Sequence, residues 1–169
     1  MDIKHVPDQF GYYIAGFADG EGSFNCSFRG RKDYLIGWKI TPVFNIRQKE
    51  KPILEIIRKY LDCGKIRFRS DGVFVYEVTT FKHLEDKVVP FFKKFNFLSD
   101  KKKKDFSIFI RMLKILKKPS VTYDDVVDLL ELRKLQTPSN TRRKFKEQEI
   151  LNRAQVFWNL NSDKILAKQ

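Results

Sequence analysis

At 169 residues, 42 % hydrophobic and 14 % aromatic, the chain is long enough to bury a core and too apolar for a disordered basic tail. A net charge of +13 directs it to a polyanion, nucleic acid ahead of an acidic membrane surface or an acidic protein. No apolar run reaches the roughly 20 residues that span a bilayer, and Cys26 and Cys63 lack metal-ligand spacing and read as reduced thiols, which argues against disulfide-dependent secretion.

The opening Met1-Asp2-Ile3-Lys4-His5 has neither the apolar run of a signal peptide nor the Arg/Ser bias of a transit peptide, so an intracellular protein with no membrane partner is expected. Lys outnumbers Arg, and Phe, Ile and Asn are plentiful, which fits an AT-rich genome such as that of a chloroplast or mitochondrion. Pro7 and Asp8 open a helix carrying Phe10, Tyr13, Ile14 and Phe17 at helical spacing, and Gly20 and Gly22 stop it. Gly16 and Gly20 lie four apart with Ala15 and Ala18 beside them, a small-residue face on which a second helix can approach closely. Asp19 and Glu21 follow at the helix end. Paired acids there suit metal-dependent phosphate chemistry, although Asp-Gly-Glu-Gly also reads as an ordinary turn.

The period then changes. Phe24, Cys26 and Phe28 alternate with Asn25, Ser27 and Arg29, a half-buried strand. After a polar turn comes a longer strand from Trp38 through Gln48, in which Pro42 predicts an edge position or a bend. Pro52 begins a second helix with Ile53, Ile56, Ile57, Tyr60 and Leu61 as its apolar stripe, ended by Gly64. Lys65, Arg67 and Arg69 alternate with Ile66 and Phe68, and Asp71-Gly72 is a strong hairpin turn. The returning strand sets Phe74, Tyr76 and Val78 on one face, and Val75, Glu77 and Thr79 on the other. Thr79 or Thr80 caps a helix from Phe81 to about Phe95, bent near Pro90. Ser99 or Asp100 caps the next, with Phe106, Phe109, Ile110 and Leu113 as its stripe and Pro119 as its end. Two more helices are predicted, Thr122 to Leu135 and Lys146 to Leu160, joined by a basic connector over 137–144. The order α-β-β-α-β-β-α plus helices specifies one α+β domain over 1–169, with a four-stranded antiparallel sheet, a core of about 8–116 and a C-terminal helical extension of about 120–169.

The sheet's polar face gathers Asn25, Ser27, Arg29, Lys39, Thr41, Asn45, Arg47, Lys65, Arg67 and Arg69, with Val75, Glu77 and Thr79 from the last strand. Arg, Lys, Asn and Glu are the types that read base edges in the major groove, and a merely solvated face would mix charge signs more evenly. Gln48 closes the long strand, where an isolated Gln is ordinarily a surface residue. Lys101-Lys102-Lys103-Lys104 stands at a helix N-terminus, where cations oppose the dipole; it is either a solvated run or a source of a lysine aimed at a phosphate. His5 and His83 have no ligand pattern.

Ile14-Ala15-Gly16-Phe17-Ala18-Asp19-Gly20-Glu21-Gly22-Ser23 resembles the signature of the LAGLIDADG homing endonucleases, and the αββαββα order matches that family's core from roughly Asp8 to Leu116. The resemblance implies that Glu21 is the metal-binding acid, with a contribution from the Gly20 carbonyl, and that Asp19 is mainly structural. Phe44-Asn45-Ile46-Arg47-Gln48-Lys49 is similar to the segment whose Gln positions the hydrolytic water. Leu98 to Phe106 is similar to the basic segment with a lysine three residues before an Asp, which selects Lys102, with Lys101 next. Glu stands where Asp is commoner. One signature is present, and single-motif members act as homodimers, so Ala15, Gly16, Ala18 and Asp19 are expected at a helix-to-helix dimer contact. The implied activity is Mg2+- or Mn2+-dependent cleavage of both strands of a pseudo-palindromic DNA. Strands of about nine residues at about 3.3 Å each would cover nearly nine base pairs per half-site, a target of roughly 20 base pairs. Two other roles stay open on the same fold: an RNA-binding intron maturase and an inactive dimeric DNA-binding protein.

Overall fold

The computed structural model describes residues 5–136 and 144–166, with side chains as far as residue 161; the predicted basic connector falls almost wholly outside the described residues. The elements are α1 (Asp8–Glu21), β1 (Gly22–Gly30), β2 (Trp38–Gln48), α2 (Lys51–Leu61), β3 (Lys65–Phe68), β4 (Phe74–Val78), α3 (Phe81–His83), a π-helical turn (Leu84–Val88), α4 (Val89–Lys94), α5 (Asp100–Leu116), α6 (Tyr123–Leu135) and α7 (Glu147–Leu166). The fold is α+β. The four strands are ordered β1-β2-β4-β3, and the register fixes their faces. Asn45 pairs with Glu77 and Glu77 with Lys65; Arg47 pairs with Val75 and Val75 with Arg67. Paired residues in an antiparallel ladder point the same way, so these six share the polar face, and Phe44, Ile46, Tyr76 and Ile66 share the other.

The chain clusters into two compact units: one up to Asn25 together with Pro42–Ile110, the other Cys26–Thr41 together with Arg111 onward. The first is held by stacked phenylalanines. Phe24 packs on Phe44 at 4.8 Å between ring centroids and on Phe109 at 5.3 Å, and Phe92 stacks on Phe97 at 4.7 Å. The second centres on Ile36, Trp38, Val126, Leu130, Ile150 and Ala154, with the Trp38 indole donating to Ile150 O at 3.0 Å. Thr122 caps α6 through a full capping box with Asp125, whose carboxylate also holds Lys118. Both cysteines are free and buried, and burial pushes the Cys26 thiol up to about 12. Among the described residues no helix is long and apolar enough to cross a membrane.

Several expectations change, each for a physical reason. Helix α1 does not stop at Gly20 but runs through Glu21; Gly22 is the extended residue after it, where a Cβ would meet Ala18 O at 2.5 Å. β2 is an interior strand, not an edge. Pro42 is tolerated because the ladder from β2 to β4 begins only at Phe44. The strands are not uniformly nine residues long: β1 has 9 and β2 has 11, while β3 has 4 and β4 has 5. Helix α2 buries Leu54, Ile57 and Leu61, leaving Ile56 exposed, and ends at Asp62 rather than Gly64. Asp62 takes the left-handed φ of 50°, and Lys87 Nζ binds both its carbonyl (2.6 Å) and its carboxylate (2.8 Å). The helix predicted from Phe81 to Phe95 is interrupted by the π turn immediately before Val89-Pro90, and Thr80 stands at its N-cap without a side-chain bond. A proline has no N–H to donate to the preceding turn, and a wider turn absorbs that loss.

Candidate functional site

The C-terminal end of α1 meets the first turn of α5. Asp19 accepts hydrogen bonds from Leu98 N (3.0 Å), Ser99 N (2.9 Å) and the Ser99 hydroxyl. Ser99 in turn accepts from Lys102 N at 3.2 Å, as the N-cap of α5. Burial alone would raise the Asp19 carboxyl; the three hydrogen bonds outweigh it and hold the group below the usual carboxylate range. Asp19 is therefore a tie between two helices, with its oxygens committed inside the chain.

That tie aims Lys102. The side chain is buried, 7 % exposed, and its ammonium donates to Gly22 O, the residue after Glu21. Burial pulls its pKa below the ordinary lysine value, while Asp105 and Asp19, and to a smaller extent Glu21, favour the charged form. Lys101, Lys103 and Lys104 are exposed, so one lysine of the four is singled out by the fold. Glu21 is exposed at the end of α1, with Gly20 exposed beside it and open space over its Cα. Gln48 closes β2 opposite Phe74, its Oε1 accepting from Lys49 N at 2.9 Å. The turn between β1 and β2, closed by Arg31 N donating to Gly37 O at 2.9 Å, makes these strands a hairpin, so the start of β1 and the end of β2 share one end of the sheet. Glu21, Lys102 and Gln48 thus belong to that end.

The polar face divides between the units. In the first, Arg47, Lys65 and Arg67 are exposed, and Asn25 donates to Ser23 Oγ at 3.3 Å. Glu77 sits between Lys65 (3.5 Å) and Arg67 (3.2 Å), its charge already answered. Asn45 is only 9 % exposed and Val75 only 2 %. Val75 lies in register between two arginines whose stems can cover it, so it lies beneath the polar surface and not on it. Arg69 and Thr79 fall just beyond β3 and β4, Arg69 in the hairpin turn paired with Asp71 at 2.9 Å. In the second unit Arg29, Lys39 and Ser27 are exposed and Thr41 is half-buried, with Ser27 Oγ donating to Thr41 O at 3.4 Å.

The four residues expected at a helix-to-helix contact separate. Ala15 (1 %) and Ala18 (0 %) are spent on this chain's own core, and Asp19 on the α5 loop. Gly16 is exposed with nothing within 4 Å of an added Cβ. Tyr12 and Tyr13, exposed by 59 % and 55 %, flank it on the outer side. Ser99 joins the site as well: its capping role is legible in the sequence, and its bond to Asp19, eighty residues upstream, is not. Among the described residues no three of His, Cys, Asp and Glu come together as a metal cluster.

The LAGLIDADG endonuclease family model matches residues 14–113. A probable intron-encoded DNA endonuclease 1 from Mycosarcoma maydis is 36 % identical over 92 residues, 53 % of this chain and 32 % of that protein. The DNA endonuclease I-CvuI from Chlorella vulgaris is 30 % identical over 97 residues, 54 % of this chain and 60 % of that one. In both cases less than two thirds of the relative is spanned. An archaeal intron-encoded homing endonuclease, I-Vdi141I, solved in complex with DNA, superposes with a TM-score of 0.75 at 29 % identity, over 90 % of this chain and 98 % of that one.

Proposed function

The chain belongs to the LAGLIDADG endonuclease family, and on that premise we propose that it is a site-specific double-strand DNA endonuclease, active as a homodimer on a long pseudo-palindromic target. The observation that carries this reading is the end of α1: an exposed Glu21 beside a buried lysine whose position depends on the motif's other acid. The net charge of +13 and the exposed Arg47, Lys65, Arg67, Arg29 and Lys39 support a duplex as the polyanion. An organellar gene remains the setting that the Lys, Phe, Ile and Asn usage favours.

The family implies a divalent ion, Mg2+ or Mn2+. The residues fit it in kind, because Glu21 and the Gly20 carbonyl are hard oxygen donors and the Glu21 carboxylate is exposed. They fit it in number only if a second copy supplies the matching pair, since Asp19 is committed elsewhere. When bound, such an ion activates water and stabilises the departing 3′ oxygen. The chain's own residues do the rest: Lys102 neutralises charge gathering on the phosphate, and Gln48, with its Oε1 engaged by Lys49 N, has its Nε2 left to hold a water. The short β3 and β4 narrow the expected reach on their side of the sheet, so the long β1–β2 pair carries most of each half-site.

The test is Glu21→Gln. Duplexes recovered by selection with the wild-type protein should still bind the variant within about threefold, while cleavage falls by about three orders of magnitude, the scale on which preorganised electrostatic groups act. Wild-type cutting by the variant would remove Glu21 from the chemistry.

A further inference from the structure

Helix α7 grips the backbone of the β1–β2 hairpin. Arg153 Nε donates to Gly37 O at 2.8 Å, and Asn161 Nδ2 donates to Leu35 O at 3.3 Å. The Arg153 guanidinium lies over two aromatic rings, 5.3 Å from the Trp38 centroid and 4.9 Å from that of Phe157. The fit leaves no slack. Gly37 has a φ of +68°, and a Cβ there would meet the Phe157 ring at 2.7 Å and Arg153 Nε at 3.2 Å. All of these residues belong to one compact unit.

The bond from Arg153 goes to main chain. It therefore fixes where the hairpin lies whatever side chains the hairpin carries, and leaves Ser27, Arg29, Lys39 and Thr41 available to a ligand. Anchorage of α7 itself does not need the guanidinium, because Ile150 and Ala154 are fully buried in the core of that unit. β1 runs nine residues from Gly22 to Gly30, about 26 Å at a strand's rise per residue, and Arg29 is the next-to-last residue of that strand.

We propose that Arg153 is a positioning residue for sequence recognition: through Gly37 O and the Trp38–Phe157 pair it sets the hairpin so that Arg29 and Lys39 meet the outer base pairs of each half-site. The proposal rests on the reading of this chain as a DNA-binding protein and adds to it a residue outside the matched family segment, which ends at 113. A guanidinium lying over two rings and donating along its Nε–H is not replaced by an ammonium.

The experiment is selection from a double-stranded library with a random window of about 30 base pairs, longer than the target the strands would cover, using wild type, Arg153→Leu and Arg153→Lys. The full chain is used throughout, with thermal melts of each variant. The proposal expects discrimination at the outermost positions to fall about tenfold in Arg153→Leu and by an intermediate factor in Arg153→Lys, with the central positions as in wild type. A wild-type consensus from both variants overturns it. So does a loss spread evenly over all positions, in Arg153→Lys as in Arg153→Leu, which marks a residue that only keeps the unit folded. Failure of the wild type to enrich any consensus overturns the DNA-recognition reading itself, and the proposal with it.

Discussion

Lys102 holds its ammonium on the Gly22 carbonyl in a site only 7 % exposed, and burial pulls its pKa down. A lysine whose pKa is depressed disfavours folding while it stays charged. The penalty is present at neutral pH and is relieved as pH rises through the folded pKa toward the ordinary lysine value. Lys102→Met is therefore expected to melt a few degrees above wild type at neutral pH and to lose cleavage, with the difference in melting temperature closing as pH rises. A variant that melts lower at neutral pH would mean that the carbonyl bond and the nearby carboxylates outweigh desolvation. Asp19 has the opposite sign. Its carboxyl is held below the usual range by Ser99 and Leu98, so its contribution is present above about pH 4 and is lost as pH falls through its folded value. Asp19→Asn should cost about 1–2 kcal/mol in denaturant unfolding at neutral pH, and the wild-type and variant curves should converge in acid. A difference independent of pH would place the effect in packing.

At the scale of elements, what the sequence disclosed is what a period can carry. The alternation of Phe24, Cys26 and Phe28, the Asp71-Gly72 turn and the αββαββα order all read correctly because each is encoded within a few residues. Positions set by distant partners did not. Ala15 and Gly16 look alike as small residues, yet one is buried and the other is open, and only the core beneath α1 distinguishes them. The sequence predicts Gly64 as the stop of α2, whereas Asp62 takes that role, its left-handed backbone held by Lys87, twenty-five residues on. Gly64 serves instead at a close crossing: its φ is +78°, and a Cβ would stand 2.7 Å from the Tyr76 ring and 2.8 Å from Glu77 O. Gly64→Ala should thus cost about 2–4 kcal/mol, combining backbone strain with a contact that main chain cannot yield. Urea unfolding measures it, and a loss within a few tenths of a kcal/mol would show that the β3 edge relaxes freely. The choice of Lys102 comes from the resemblance alone; its burial follows from Ser99 meeting Asp19, which no local pattern carries.

For the molecule as a whole, the proposed homodimer would set two copies of the motif about one axis. The surface available for that pairing is narrower than the small-residue stripe suggests. Ala15 and Ala18 serve the chain's own core, which leaves Gly16 and Gly20 open along α1 with Tyr12 and Tyr13 beside them. These positions are spaced to share one face of a helix. In the isolated chain Gly16 is conformationally expensive, since glycine in a helix interior is about 1 kcal/mol worse than alanine, and among the described residues nothing lies within 4 Å of an added Cβ. A second helix backbone lying against it would give that cost a use. Gly16→Leu separates the two situations. At low protein concentration the variant should melt at or above the wild-type temperature, because the added side chain enters open space and improves helix propensity. At high concentration its association should weaken at least about tenfold, because about 1.4 kcal/mol is readily lost when a side chain is forced into a close helix crossing. Sedimentation across a concentration series reads both. A dimer of wild-type strength would move the contact off α1 and take with it the pairing of two Glu21 carboxylates on which the metal-dependent reading depends.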